Sequence, residues 1–222
     1  MNHSPLEAAV LLHIGMVPLS RTVVTTWGLA AALTAGCWLA TRRFHVVPGG
    51  WQAIVETVVV GIEEQISTLL DRDAAPFLPL LGTLFLFLVV ANLSGIVPGV
   101  RPPTASVETP AALASIVFSS VHYYGVRVQG LGAYLRGYLK PNPIMLPFNI
   151  LSELTRSFSL AMRLFGNIMS QEFLVAIVLA LAGLLVPIPF MAFGILIGLV
   201  QAYIFSVLSA VFIGGGIGAI DK

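Results

Sequence analysis

Long, predominantly apolar runs of residues are the feature that most limits how this chain can fold. They lie near residues 22–40, 77–97, 107–124, 145–185 and 188–217. A helix of about 20 residues crosses a hydrocarbon core of about 30 Å, and lipid offers no hydrogen-bond partner to a non-helical backbone. The sequence therefore predicts an all-α polytopic membrane protein, a single domain over residues 1–222 with about five transmembrane helices.

Residues 51–71 show a different pattern. Apolar residues recur there at helical spacing, namely Ile54, Val58, Ile62, Ile66 and Leu69. Acidic and amide side chains interrupt them, namely Glu56, Glu63, Glu64 and Gln65. This combination is typical of an amphipathic helix that lies in the membrane interface rather than crossing it.

The low charge content excludes several other classes of protein. Charged residues make up 9% of the chain and hydrophobic residues 57%, whereas about a quarter of a soluble domain is charged. A soluble enzyme is therefore excluded, and a net charge of +1 without a basic block argues against a nucleic-acid partner. Cys37 is the single cysteine and the four histidines are scattered, so we expect no disulfide, metal site or cofactor.

The basic residues predict an orientation, because short cytoplasmic loops are enriched in Lys and Arg. We expect the N-terminus outside and the first apolar run to be retained as a span, since Arg21 is the first basic residue. The basic residues then placed inside are Arg42, Arg43, Arg72, Arg127, Arg136, Lys140 and Lys222, against Arg21 and Arg101 outside. An odd number of spans, with a cytoplasmic C-terminus, follows from this distribution.

Arg163 is the most informative polar residue, because it falls within the fourth apolar run. An arginine at the centre of a membrane helix costs about 2.5 to 3.5 kcal/mol on insertion scales and usually faces a partner or a water-filled cavity. At about 100° per residue, six polar side chains lie within about 40° of one direction. This polar stripe consists of Ser152, Arg156, Ser159, Arg163, Asn167 and Ser170. Its face must meet protein or water.

The two acids of this helix lie off the polar stripe, Glu172 on the opposite side and Glu153 about 80° away. Arginine stays protonated in proteins, so Arg163 can act only as a fixed positive charge. It would favour release of a proton or ion from a carboxylate on another subunit, and it would oppose cation leakage between two aqueous paths.

The fifth run offers a facing surface, because Gly194, Gly198, Gln201 and Phe205 share one side of a helix. The glycines permit close backbone approach, and Gln201 could hydrogen-bond across to Arg163 or Asn167. Other interpretations stay open. Gln201 and Asn167 could simply join helices, Glu172 could extend toward interfacial water, and Arg163 could form a structural ion pair.

Several segments resemble subunit a of F-type ATP synthases. Residues 159–167 read Ser-Leu-Ala-Met-Arg-Leu-Phe-Gly-Asn, similar to the SLxxRLFGN signature of that family, and Glu172 matches its acid. Residues 201–205 are similar to its QAxIF element. Two shorter segments, 91–99 and 103–105, also agree. The resemblance covers most of residues 76–217.

This resemblance implies an ion-conducting stator subunit that is not an enzyme by itself. Its partners would be a c-subunit ring, b-type peripheral stalk subunits and the F1 sector, in a bacterial inner membrane, with the last two helices tilted against the ring. Arg163 would face the ring carboxylates, while Asn167, Glu172 and Gln201 would line or support ion access. Further channel lining would come from Ser152, Glu153, Arg156, Ser159 and Ser170. The coupling ion would be H⁺, with Na⁺ as the alternative.

The chain also departs from the family pattern. Ser106 follows the Pro-Thr-Ala segment where many members have aspartate, with Glu108 two positions on. Gly194 stands where some bacterial members have a histidine paired with the acid at the position of Glu172. A self-contained secondary transporter and a structural scaffold are the other hypotheses, although the two halves show no matching broken helices.

Overall fold

The computed structural model describes residues 10–14, 17–42, 49–96, 102–139, 144, 146–183 and 186–218. Within these residues the chain forms a short hairpin and a set of helices joined by short connections. The hairpin strands are β1 (Val10–Ile14) and β2 (Val17–Ser20). The α-helices are α1 (Arg21–Thr41), α2 (Gly50–Leu70), α3 (Leu78–Leu93), α4 (Glu108–Gln129), α5 (Leu131–Leu139), α6 (Leu146–Ala182) and α7 (Pro187–Gly216). Single 3₁₀ turns lie at Ser94–Ile96 and Pro103–Ala105.

The helical architecture confirms the predicted all-α polytopic membrane fold. Three helices are long and apolar enough to cross a membrane, namely Thr22–Thr41, Leu146–Ala182 and Pro187–Gly216. Helix α3 is apolar but has 16 residues, about 24 Å, because a 3₁₀ turn follows Leu93. Helix α4 has 22 residues but is less apolar. The spans assigned to α3 and α4, and the orientation, stay predictions.

Some sequence-based expectations fall outside the described residues. Arg43, Arg101, Lys140 and Lys222, which contributed to the predicted orientation, are among them, as are residues 97–99 of one family segment. The β1–β2 hairpin, by contrast, is described and was not expected. Its antiparallel pairing has an irregularity between Val10 and Leu12, and it lies directly before α1.

Helix α2 is an amphipathic helix packed on α3 and α7. Ile66 and Leu70 are buried in one cluster with Leu81 of α3 and Ile213 of α7. The hydroxyl of Tyr203 on α7 also donates to Gln65 Oε1 at 3.2 Å. The helix therefore rests on the bundle through one apolar side, whereas Val58, Val59 and other side chains remain exposed.

Helix α7 is the centre of the bundle, in contact with α2, α3, α4 and α6. A second apolar cluster joins it to α3, α4 and α6. The members of that cluster are Leu84, Leu88, Leu113, Val117, Leu160, Leu164, Ile168, Ala202 and Phe205. Phe205 is fully buried there, with an exposed fraction of 0%. Helix α7 therefore links four other helices into one bundle.

A polar contact joins α3 to α7 at Gly198. Asn92 Nδ2 donates to the Gly198 carbonyl at 2.8 Å, and the buried Thr104 hydroxyl donates to Asn92 Oδ1 at 2.9 Å. A Cβ atom built on Gly198 would lie 3.0 Å from Asn92 Cβ. Glycine at this position therefore permits both the close helix approach and the hydrogen bond.

Gly198→Val is expected to destabilise the protein by about 1 to 3 kcal/mol, because the added side chain must displace Asn92 and its hydrogen bond. Thermal unfolding of the purified protein in detergent measures the effect. Gly215→Val is the matched control on the same helix, since nothing lies within 4 Å of a Cβ at Gly215. Equal stability of the two variants would contradict the importance of this contact.

Candidate functional site

The predicted polar stripe of α6 lies on an uncovered face of the protein. All six of its side chains are exposed, while Leu160, Leu164 and Ile168 form the buried side of the same helix. Exposed apolar residues such as Phe158 and Met162 are neighbours of the stripe. A polar face of this extent on a helix long enough to cross the membrane is incompatible with contact to lipid alone.

An open groove of about 510 Å³ runs between α6 and α7 along part of this stripe. Its polar lining consists of Ser152, Thr155, Arg156, Ser159 and Arg163, and its apolar lining of Phe148, Leu151, Leu160, Leu208 and Phe212. Two guanidinium groups and no carboxylate line the groove. Its electrostatic potential is therefore positive, which favours an anionic partner.

Arg163 is central and has no partner within the described part of the chain. It lies 17 residues after the first residue of α6, Leu146, and 19 before the last, Ala182. No ion pair or hydrogen bond to its guanidinium occurs among the described residues. The alternative of a structural ion pair is therefore not found there. No group in the described part of the chain balances this charge.

Arg156 is a second cation in the groove, seven residues and about 10 Å along the helix from Arg163. Its guanidinium carbon lies 6.0 Å from the ring centroid of Phe212 on α7. A cation at this distance from an aromatic face is weakly attracted to it. The contact orients Arg156 without neutralising its charge.

Asn167 and Gln201 connect the polar stripe to α7. Asn167 Nδ2 donates to Gln201 Oε1 at 2.6 Å, which is one of the two contacts that the sequence suggested for Gln201. Gln201 is 2% exposed, and its Nε2 has no hydrogen-bond partner among the described residues. The pair therefore leaves one buried donor available close to the arginine-bearing helix.

Neither acidic residue of α6 lines the groove, although Glu153 was expected among the channel-lining residues and Glu172 among those serving ion access. Glu153 Oε1 is 3.8 Å from His122 Nδ1 on α4, and Glu172 is half-buried near the other end of α6. The side chain that approaches Gly194 is Gln171, whose Oε1 would lie 3.1 Å from a Cβ there. Glu172 is therefore not the residue that approaches the Gly194 position.

The structure thus brings only part of the predicted set together. Ser152, Arg156, Ser159 and Arg163 share the groove, and Asn167 pairs with Gln201, whereas Ser170, Glu153 and Glu172 do not line the groove. No group of three or more metal-ligating side chains occurs within the described ranges.

Six lining residues were not among the predicted site residues, namely Phe148, Leu151, Thr155, Leu160, Leu208 and Phe212. A signal for two of them existed, since Leu208 and Phe212 follow Gln201 by seven and eleven residues and so lie on its face of α7.

These features define an integral membrane protein of packed helices with a positively charged groove on its surface. The sequence model of the ATP synthase A chain family matches residues 23–214. The chain therefore belongs to the ATP synthase A chain family, as the resemblance of its motifs indicated. A subunit a is the ion-channel component of its complex and not the catalytic part.

Relatives support this assignment along the whole chain. An ATP synthase subunit a 2 of Bradyrhizobium sp. is 59% identical over 222 residues and is covered completely, as is this chain. An ATP synthase subunit a 1 of Hahella chejuensis is 48% identical over 206 residues, covering 93% of this chain and 88% of the relative. An ATP synthase subunit a 2 of Pelobacter propionicus is 46% identical over 211 residues, covering 95% and 92%.

A double-mutant cycle tests the contact between Asn167 and Gln201. Asn167→Leu and Gln201→Leu are expected to be coupled by about 0.5 to 1.5 kcal/mol, because each removes the same interhelical hydrogen bond. Unfolding of the two single variants and the double variant in detergent measures the coupling. Strictly additive effects would show that the hydrogen bond contributes nothing to stability.

Proposed function

We propose that the chain is the ion-translocating stator subunit of a rotary ATP synthase and provides two aqueous half-channels to a ring of c subunits. The observation that carries this proposal is Arg163, which is exposed and without a partner in the described chain at the middle of a 37-residue membrane helix. Such a charge is stable in a membrane only beside water or an anionic group.

A moving ring of carboxylates supplies the anionic group that this site lacks. Each carboxylate that reaches Arg163 is drawn into its ionised form, and its proton or ion is released to the adjacent half-channel. The guanidinium itself stays charged, so it does not carry the ion across. Ions can therefore pass between the two sides only by riding on the ring, which couples their flow to rotation.

The remaining predicted residues have supporting roles in this mechanism. Gln201 supports the site from inside the bundle, where it accepts a hydrogen bond from Asn167 and its buried Nε2 has no partner among the described residues. Glu172 serves ion access toward one end of α6 and Glu153 toward the other. The stripe serines Ser152 and Ser159 solvate the groove that contains Arg156, while Ser170 lies further along the stripe.

The proposed partners follow from the same arrangement. They are the c-ring at the groove, b-type peripheral stalk subunits and, through the complex, the F1 sector. We assign the protein to a bacterial inner membrane, with its N-terminus outside and C-terminus in the cytoplasm. A membrane potential supplies about 2.3 kcal/mol per charge per 100 mV, so several ions are needed for each ATP.

The exposure of the polar stripe favours the stator over a self-contained secondary transporter. A transporter encloses its binding site between its own helices at the middle of the membrane. Here the stripe and its arginines lie on an outer face of the chain. The coupling ion is proposed to be H⁺. Na⁺ stays the alternative because the carboxylate that selects the ion belongs to the ring and not to this chain.

Arg163→Ala is expected to abolish ATP-driven ion pumping by the assembled complex in liposomes, because nothing then drives ion release from the ring. Gln201→Ala is expected to lower the rate without abolishing it. Pumping measured with and without Na⁺ identifies the ion. Met162→Ala, at the adjacent exposed position, is the control and should pump normally. Normal pumping by Arg163→Ala would overturn the proposed function.

Arg156→Gln is expected to retain pumping but to raise the affinity of the passing carboxylates for their ion by up to about ten-fold. The reason is that a positive charge about 10 Å from Arg163 is lost. With H⁺ as the ion, the pH profile of pumping should move to higher pH; with Na⁺, the half-saturating concentration should fall.

Two further variants separate charge from position at this site. Arg156→Lys should stay near wild type, and Phe212→Leu should shift the profile less than Arg156→Gln, because both retain the positive charge. An unchanged profile in Arg156→Gln would show that Arg163 acts alone.

A further inference from the structure

Helix α5 is a short amphipathic element whose orientation is fixed by one buried side chain. It follows α4 directly, after Gly130 turns the chain with φ = 82°. Tyr134 is 6% exposed and inserts against α4, where a Cβ on Gly125 would clash with its ring. The Tyr134 ring is also edge-on to His122, with centroids 6.0 Å apart. Residue 125 must therefore be glycine for α5 to dock in this position.

Docking through Tyr134 leaves the neighbouring leucines outside the bundle. Leu131 is 62% exposed and Leu135 54% exposed, although they lie four residues apart on one side of α5. Val128, at the end of α4, is also exposed, at 44%. Because Tyr134 fixes the orientation of α5, these apolar side chains stay outside the bundle and require a partner that covers them.

The exposed charges on α5 and the last turn of α4 are positive, whereas the half-buried Glu153 of α6 lies 3.8 Å from His122, the ring neighbour of Tyr134. From residue 109 to residue 152 the sequence contains no Asp or Glu, while it contains Arg127, Arg136 and Lys140. Arg127 and Arg136 are both exposed. Arg127 donates to the Tyr123 hydroxyl at 3.2 Å and lies over that ring, which leaves its charge unneutralised. The partner that complements this region is apolar on one side and anionic on the other.

The position of α5 in the chain indicates which partner this is. Six residues separate its end at Leu139 from Leu146, the start of a helix long enough to cross the membrane. Six residues span at most about 20 Å, so α5 lies within that distance of the first turn of α6. Exposed leucines beside arginines are the composition of helices that lie in the interface of an anionic membrane.

We infer that α5, with the last turn of α4, is a membrane-docking surface that binds the anionic headgroups of the adjacent leaflet through Arg127 and Arg136 and inserts Leu131 and Leu135 among the acyl chains. The surface anchors the segment that enters α6 at a defined depth. It therefore holds the long helix that carries Arg163 at a fixed height in the membrane. This inference requires membrane embedding only and does not depend on the proposed ion path.

Photochemical cross-linking in the whole complex tests the inference. A benzophenone side chain placed at position 135 is activated in vesicles of phosphatidylcholine, alone or with one third phosphatidylglycerol. Lipid adducts at position 135 should dominate, and adducts with the anionic lipid should exceed its share of the bilayer. Raising the salt concentration should remove the excess, because headgroup attraction is screened. The same side chain at position 181, at the other end of α6, is the positional control.

Charge removal gives the second arm of the test. The double variant Arg127→Gln with Arg136→Gln should abolish the preference for the anionic lipid. Each arginine is expected to contribute about five-fold to that preference, the ratio that corresponds to about 1 kcal/mol for each charge. Arg42→Gln with Arg72→Gln, which removes the same charge elsewhere, should leave the preference unchanged. If the double variant does not assemble, Arg136→Gln alone should remove part of the preference for the anionic lipid. The measurements at raised salt concentration use the unsubstituted arginines and so require neither variant.

Two results would overturn the inference. Cross-linking of position 135 mainly to another subunit would make this surface a protein interface. Equal adducts with neutral and anionic lipid at low salt would show that the arginines do not select headgroups. Neither result affects the pumping test of Arg163→Ala, so failure of the docking surface and failure of the proposed function remain distinct.

Discussion

The positive charge of Arg163 is the constraint on which the rest of the structure depends. It lies in the middle of a helix whose surroundings cannot solvate it, and the described chain offers it neither an ion pair nor a hydrogen bond. The surroundings of Arg163 are compatible with a charge that has no partner in the described chain. The neighbours of Arg163 on the stripe are small polar side chains, the acids are directed elsewhere, and the helix face stays open to a partner.

Holding this charge at a defined place requires a rigid support. Between membrane helices the hydrophobic effect gives little attraction, so close packing and interhelical hydrogen bonds hold the bundle. Helix α7 supplies both, through the glycine approached by Asn92 and through Gln201, which accepts a hydrogen bond from Asn167 one turn from Arg163. The contact with α3 at Gly198 and the contact with α6 at Gln201 are three residues apart on α7. A shift of either helix is therefore transmitted to the site.

Much of the site could be predicted from the sequence because helical geometry is regular. The 100° rotation per residue was sufficient to place the stripe on one face, to place Glu153 and Glu172 off it, and to offer Gln201 either Arg163 or Asn167 as a partner. Contacts that depend on which helices become neighbours could not be predicted in this way. The pairing of Glu153 with His122 and the packing of Arg156 on Phe212 need the positions of α4 and α7. Likewise, neither the β1–β2 hairpin nor the early end of α3 has a signal in hydropathy, because both depend on local backbone preferences.

The open groove also affects the stability of the chain before it assembles with its partners. Under the proposed function, a newly inserted copy exposes an arginine and a polar helix face to acyl chains until the c-ring covers them, at a cost of a few kcal/mol. The free subunit would then be less stable in the bilayer than the assembled one, and Arg163 would account for the difference. A cell that recognises exposed polar surface within its membrane could distinguish orphan copies from assembled ones without any dedicated degradation signal in the sequence.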